Sequence, residues 1–257
     1  MFIYTQIKAV LLGFFMITFM LFPVSLIASP FHLEKRLKII GPLWSFFGRI
    51  LLKYACNVNV VVSLDHRSPS FQKTPSYGLY VANHQSYIDI PLMLTMYQAP
   101  PIMKKEVLYI PIFGLLAWAS GALPVSRSNP DSRKKVFLQA KKRMSEDRIG
   151  LQVYPEGTRS KDSFPKPFSE IKKTLLVFAY QEKIPVIPTS IYGTRGVLNH
   201  MGFIQPGKNV GIIVHKEIFP EDFTSAEDFA KAAWEQVLKG HEELKINLYP
   251  SDLEFQD

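Results

Sequence analysis

Apolar and polar positions divide the chain into two unequal stretches. Residues 9–27 form a nineteen-residue run without a charge, long enough as a helix to reach about 28 Å, close to the hydrocarbon thickness of a bilayer. Only Pro23 interrupts it, near its end. The run predicts an uncleaved membrane anchor. The alternative is a cleaved signal peptide with Lys8 as its basic head, but Leu26-Ile27-Ala28 lacks the small residue expected two positions before a cleavage-site alanine. Basic residues gather after the run, at Lys35, Arg36 and Lys38 with Arg49 and Lys53 beyond. If the run spans, this places the C-terminal bulk in the cytoplasm. Residues 39–52 carry Trp44, Phe46, Phe47, Ile50 and Leu51 beside Arg49. That is too short and too charged to span, and it predicts an interfacial helix or a core helix of the soluble domain.

Beyond residue 55 the period changes repeatedly between two and about 3.6. Residues 58–64 alternate and are β-branched, and 78–82, 151–154, 184–192 and 210–214 are short apolar runs bounded by turn residues. All five read as strands. Helical spacing appears at 90–97, at 129–147 and at 229–238, the last behind the capping residues Thr224 and Ser225. In 129–147 the apolar set is Val136, Leu138, Ala140 and Met144, against six lysines and arginines whose simplest reading is a solvated face. Strands alternating with helices predict an α/β fold, a mostly parallel sheet flanked by helices, with an N-terminal membrane-embedded helical segment. The expected division is 1–55 for that segment and 56–257 for the α/β domain.

Composition narrows the partners. At 257 residues with 47% hydrophobic and 20% charged side chains, the chain can bury a full core. One cysteine, Cys56, excludes an intrachain disulfide framework and a cysteine-based zinc cluster. The net charge of +8 favours anionic lipid headgroups, a phosphate-bearing ligand or nucleic acid. Nucleic acid is the weakest of these, because no basic-aromatic interleaved motif accompanies the charge.

Candidate chemistry begins where the apolar run 77–82 ends in Asn83-His84-Gln85-Ser86-Tyr87-Ile88-Asp89. A neutral imidazole can take a proton near pH 7, and a carboxylate can fix its tautomer. Five residues along one helix would put the two side chains about 140° apart. They meet only if His84 lies in a loop and Asp89 opens the next helix, and Pro91 suits such a first turn. A histidine that merely caps or bonds the helix is the plain alternative. Two other strand ends carry polar residues: Arg127, and Glu156-Gly157-Thr158-Arg159. In an open α/β sheet, ligands bind outside the carboxyl ends of strands, so these loops are expected to converge. Arginine forks match phosphate oxygens, and a glycine lets backbone N–H groups approach an anion. Either arginine could instead be structural, Arg127 paired with Asp131 and Arg159 with Glu156. No P-loop, dinucleotide fingerprint or Gly-x-Ser-x-Gly elbow is present, which argues against an NTPase, a dinucleotide enzyme and a serine hydrolase.

Taken together these motifs resemble the glycerolipid acyltransferases, specifically the 1-acyl-sn-glycerol-3-phosphate acyltransferases. His84-x-x-x-x-Asp89 is similar to the family's first motif and Gly121 to Arg127 to its second; Glu156-Gly157-Thr158-Arg159 matches the third and Val186-Ile187-Pro188 the fourth. Four motifs in order cover residues 78–193. The resemblance implies an O-acyltransferase in which His84 is the general base, oriented by Asp89, acting on the acceptor's sn-2 hydroxyl. The acyl donor is acyl-CoA or acyl-carrier protein, used as a substrate, with no metal, no cofactor and no covalent acyl-enzyme. Lys105 (with Lys104), Arg127, Glu156, Gly157, Thr158 and Arg159 are implied to bind the lysophospholipid. The setting it implies is a membrane surface, catalytic domain facing the cytoplasm, with membrane lipids as partners. One departure stands out: Pro167-Phe168-Ser169-Glu170-Ile171-Lys172-Lys173 lacks the glycine the family usually has after its third motif. It leaves the acceptor open to another lysophospholipid with the same chemistry; a non-catalytic basic membrane-binding protein on the same scaffold is a separate alternative.

Overall fold

The computed structural model describes residues 2–15, 22–64, 77–96, 99–109, 113–126, 128–198 and 203–249. Its strands are β1 (Asn59–Leu64), β2 (Leu79–Ala82), β3 (Ile102–Lys104), β4 (Leu123–Val125), β5 (Leu151–Val153), β6 (Val186–Tyr192) and β7 (Asn209–Val214). The helices are α1 (Phe2–Phe15), α2 (Phe22–Ala28), α3 (Leu33–Ile50), α4 (Asp89–Met96), α5 (Phe113–Ala119), α6 (Pro130–Ser145), α7 (Thr174–Gln181), α8 (Thr194–Val197) and α9 (Ala226–Leu248).

The main sheet runs β1-β7-β6-β2-β5, and β3-β4 form a separate parallel pair. Within the main sheet β5, β2 and β6 are mutually parallel, with Leu79 facing both Leu151 and Val186. β7 runs antiparallel to β6, and β1 pairs parallel with β7. The mostly parallel α/β sheet expected from the sequence is the one observed.

Period-two alternation explains the layers. On β2, Leu79 and Val81 face Val136, Ala140 and Met144 of α6, Leu176 and Phe178 of α7, and Phe229, Ala233 and Trp234 of α9. Tyr80 and Ala82 point the other way, toward Leu92 and Met93 of α4 and Leu52 beyond α3. Both faces being covered, the strand reads as a continuous apolar run. On α6 the buried residues are Val136, Ala140 and Met144, one turn apart. Leu138 was expected among them but is 54% exposed, because two residues along a helix turn the side chain about 200° away. Arg143 leaves the solvated face as well. It donates to the Gly121 carbonyl, and burial, with Arg36 nearby, pushes its pKa down to about 10.

The expected run 9–27 is described only in part, since residues 16–21 lie outside the described residues. α1 begins at Phe2, ahead of the uncharged run, and α2 is a seven-residue helix containing Pro23. No described helix is long and apolar enough to cross a membrane. α1 is tied to the body: Gln6 donates to the Ile204 carbonyl (2.6 Å) and accepts the Ile204 N–H (2.9 Å). Residues 39–52 form the end of α3 and the turn after it, with one face in the core. Ile40 and Phe47 of α3 are buried while Ile39 and Phe46 stay exposed.

α9 runs ten residues past its predicted end at Leu238, to Leu248. Its first turn is closed by Ser225, whose hydroxyl accepts the Asp228 N–H at 3.1 Å. Gly240 allows it to lie directly on β6, since a Cβ there would come within 2.4 Å of both Ser190 Oγ and His215 Nε2.

Candidate active site

Parallel pairing brings three strand ends to one edge of the sheet. β2 ends at Ala82, β5 at Val153 and β6 at Tyr192, and the loops beyond them are 83–89, 154–160 and 193–195. His84 lies in the loop after β2 and Asp89 is the first residue of α4. His84 Nδ1 and Asp89 Oδ2 are 2.7 Å apart, so the geometry required of the five-residue spacing is realised.

Asp89 is fully buried, and donors saturate it. Oδ2 also accepts the Gln85 N–H (2.7 Å) and the Ser86 N–H (2.9 Å), and Oδ1 accepts the Thr194 hydroxyl at 2.5 Å. A carboxylate surrounded by donors acts only as an acceptor, so Nδ1 carries the imidazole proton and Nε2 keeps its lone pair. The imidazole is stacked on Tyr154, ring centroids 4.2 Å apart at 20°. Tyr154 Oη in turn accepts from Gln152 Nε2 at 2.5 Å. The His84 side chain remains 15% exposed. The result is an imidazole held in plane between a buried carboxylate and a tyrosine ring.

The loop after β5 packs against the same turn. Glu156 Oε1 accepts the His84 N–H (2.8 Å), and Ser160 donates its N–H to the His84 carbonyl (2.8 Å). Glu156 is buried, and its Oε2 has no hydrogen-bond partner among the described residues. Burial, helped by the Asp89 charge, pushes its pKa up to about 7, against the His84 and Lys166 backbone N–H groups and the Lys166 charge, which lower it. Gly157 takes φ +68°, the left-handed region that favours glycine, and a Cβ there would meet Lys172 Nζ at 2.9 Å. Its N–H, expected to be available to an anion, donates to the Tyr154 carbonyl at 3.0 Å. Thr158 and Arg159 are exposed, and the Arg159 guanidinium lies 3.9 Å from the Tyr87 ring centroid rather than on Glu156.

The basic residues are less tightly gathered. Lys104 pairs with Glu106 at 3.5 Å. Lys105 opens a 3-10 turn, exposed, and makes no hydrogen bond or ion pair with the His84 loop among the described residues. β3 and β4 are parallel with Lys104 opposite Val125, so their ends point to one side. Arg127, two residues past β4, lies outside the described residues.

Several site residues escape the sequence motifs. The Asn83 amide donates to the Ile191 carbonyl and accepts the Ile191 N–H, both at 2.8 Å, continuing the β2–β6 ladder through a side chain. Gln85 Nε2 reaches the Ser163 carbonyl (2.6 Å) and lies 3.1 Å from His241 Nε2 on α9. Burial holds the His241 pKa below its ordinary value. The available signal was polar residues at 83, 85 and 86, a stretch that is otherwise apolar. For His241 and Thr194 there was none.

The chain is similar to known acyltransferases. A 1-acyl-sn-glycerol-3-phosphate acyltransferase of Haemophilus influenzae is 29% identical over 175 residues, 63% of this chain and 70% of that one. The protein of that description from Escherichia coli is 28% identical over 164 residues, 63% of each. The match thus spans about two thirds of these relatives' length. The crystal structure of the 1-acyl-sn-glycerophosphate (LPA) acyltransferase PlsC from Thermotoga maritima superposes with a TM-score of 0.79 at 27% identity, over 95% of this chain and 96% of that one. Residues 63–192, which carry the dyad, the Glu156 loop and all but the last step into Thr194, match the acyltransferase family, and the chain belongs to that family.

Proposed function

We propose that this enzyme transfers a fatty acyl group from the thioester of acyl-CoA or acyl-carrier protein to the sn-2 hydroxyl of 1-acyl-sn-glycerol 3-phosphate, giving phosphatidic acid. The observation that carries the proposal is the 2.7 Å contact of His84 Nδ1 with Asp89 Oδ2, from which we assign the proton to Nδ1 and the basic lone pair to Nε2. Nε2 takes the acceptor's hydroxyl proton as the oxygen attacks the thioester carbonyl. The C–O bond forms, the C–S bond breaks, and the thiolate recovers the proton from the imidazolium. Ester and thiol are the only products, and the base is regenerated without an acyl-enzyme. Positioning supplies much of the remaining acceleration. Arg159, held on Tyr87 beside the loop that touches His84, is the cation we assign to the acceptor's phosphate, with Arg127 and Lys105 as its partners and Glu156, Gly157 and Thr158 shaping the pocket.

The test is acceptor competition. Purified protein is given acyl-CoA, or acyl-carrier protein, with equal concentrations of 1-acylglycerol 3-phosphate and its choline and ethanolamine counterparts. Phosphatidic acid is expected to dominate. Preferential acylation of a zwitterionic acceptor overturns the headgroup assignment, and no acyl transfer to any of the three, from either donor, overturns the reaction.

The lipid acceptor enters from the bilayer, into which we place the N-terminal helices without crossing. Val10 and Leu11 on α1 and Ile27 on α2 are 69%, 62% and 72% exposed, while Thr5 and Ala9 face the body. An apolar surface of this kind, beside the basic Lys35, Arg36 and Lys38, suits one leaflet of an anionic membrane. Replacing Val10 and Leu11 with aspartate is expected to lower binding to phosphatidylglycerol vesicles at least about tenfold, judged from about 1.5–3 kcal/mol for each buried aliphatic side chain. Unchanged co-flotation with the vesicles would refute the placement.

A further inference from the structure

Asp89 is held from two separate parts of the chain. Its Oδ2 faces His84 Nδ1 and the backbone N–H groups of Gln85 and Ser86, all within five residues. Its Oδ1 is held by Thr194, 105 residues away, through a hydroxyl 2.5 Å distant. Thr194 is fully buried and sits just past β6 because Gly193 adopts φ +86°. A side chain at 193 would lie 2.4 Å from the Asn209 carbonyl oxygen, so this tight turn is available to glycine.

The rest of that turn also grips the His84 loop. Ile191 is paired with Asn83. Arg195 Nη1 donates to the Ser160 carbonyl at 2.6 Å, and Ser160 donates to the His84 carbonyl. Thr194 has one proton to give and two acceptors in reach, Asp89 Oδ1 at 2.5 Å and Gln85 Oε1 at 3.3 Å. The nearer acceptor is also the charged one, so the proton goes to Asp89. Gln85 is itself anchored by Ser163 and so does not compete by moving closer.

The torsion that turns an aspartate carboxylate is broad and roughly two-fold. Donors on Oδ2 alone leave the plane free to rock about that oxygen, whereas a hydroxyl on Oδ1 fixes it. We infer that Thr194 is a positioning residue of the dyad, its hydroxyl holding the Asp89 carboxylate in the plane that aims Oδ2 at His84 Nδ1. Thr194 touches no reacting atom and acts through Asp89. The inference rests on the acyl-transfer reading for its kinetic test.

The experiment compares wild type, Thr194→Val, Thr194→Ser, Asp89→Asn and the Asp89→Asn/Thr194→Val double variant. Each is assayed for thiol release from acyl-CoA with 1-acylglycerol 3-phosphate. Misplacing a catalytic group by ~1 Å costs up to about 10²-fold. Thr194→Val is expected to lower kcat about tenfold, with KM for the acceptor within about twofold, and Thr194→Ser to recover kcat to within about twofold. In the Asp89→Asn background Thr194→Val is expected to change kcat by less than about twofold, since residues acting as one unit are not additive. A Thr194→Val variant as fast as wild type overturns the inference. So does an equal loss with and without Asp89, which marks a merely structural residue. Thr194→Ala serves as the hydroxyl-free variant if valine does not fold.

A substrate-free readout separates this from the function itself. The low-field proton NMR signal of His84 Nδ1–H is expected in wild type and Thr194→Ser, and broadened or lost without the hydroxyl. If wild type releases no thiol, the reaction reading fails, and this signal still decides the role of Thr194. Its persistence in Thr194→Val overturns the role.

Discussion

Replacing His84 with alanine is expected to lower kcat by about 10²–10⁴-fold, the usual contribution of a general base, while the protein stays folded. The rate loss comes from geometry. Asp89 fixes the proton on Nδ1 and Tyr154 fixes the ring plane, so no other group on the loop presents a basic nitrogen to the acceptor hydroxyl. The folded state survives because the Asp89 carboxylate retains Gln85 N–H, Ser86 N–H and the Thr194 hydroxyl as donors. A buried charge left with three hydrogen bonds is not the orphan whose cost unfolds proteins. Acceptor-dependent thiol release, measured beside thermal unfolding, reads both halves. More than a tenth of wild-type kcat remaining in a folded His84→Ala protein would remove the base from the mechanism and favour the scaffold as a lipid-binding surface.

The site was legible in the sequence to the extent that its chemistry is local. His84 and Asp89 are five residues apart, and a loop-to-helix transition is the only local geometry that joins them. The order of strand ends then brought Glu156 beside them. What the sequence withheld depends on distant packing. Thr194 and His241 reach the dyad's loop across 109 and 156 residues, and neither falls in a motif or an unusual composition. The Gly157 N–H differs from expectation for a related reason: the glycine that would let an anion approach instead takes a positive φ and closes a turn onto Tyr154.

An uncharged run of nineteen residues has the length of a bilayer-spanning helix; its described residues form the end of α1 and most of α2, and residues 16–21 lie outside the described residues. Hydropathy records apolar surface and not what covers it. Thr5 and Ala9 face protein, while Val10 and Leu11 face outward on the same helix. Leu138 is the opposite case, an apolar residue in a helical segment that the 100° period excludes from the core.

Glu156 provides the second large expected effect, on stability instead of rate. Its folded pKa of about 7 lies above the ordinary value of 4.5. The folded state therefore holds a proton that the unfolded state has released between these values. The contribution is fully present below pH 4.5 and is lost as pH rises through 7. About 2.5 pH units at about 1.36 kcal/mol each sets the loss on the order of 3 kcal/mol. The physical cause is burial of the carboxylate, which outweighs the lowering effect of the His84 and Lys166 backbone N–H groups and the Lys166 charge. Glutamine keeps an acceptor for the His84 N–H and cannot ionise. Between about pH 5.5 and 8.5 about 2 kcal/mol of this is lost, so the wild type is expected to lose about 4–8 °C of melting temperature more than Glu156→Gln, taking about 2–4 °C per kcal/mol for a chain of this size. His241, whose pKa is lowered by burial, acts in the reverse sense, costing stability as pH falls below its ordinary 6.5. It is common to both proteins and cancels in their difference. Parallel pH dependences of the two proteins would mean that Glu156 is already ionised and solvated at the acid end of that range. An acidic group that is half-protonated near pH 7 is a weaker opponent of an arriving phosphate than a full carboxylate.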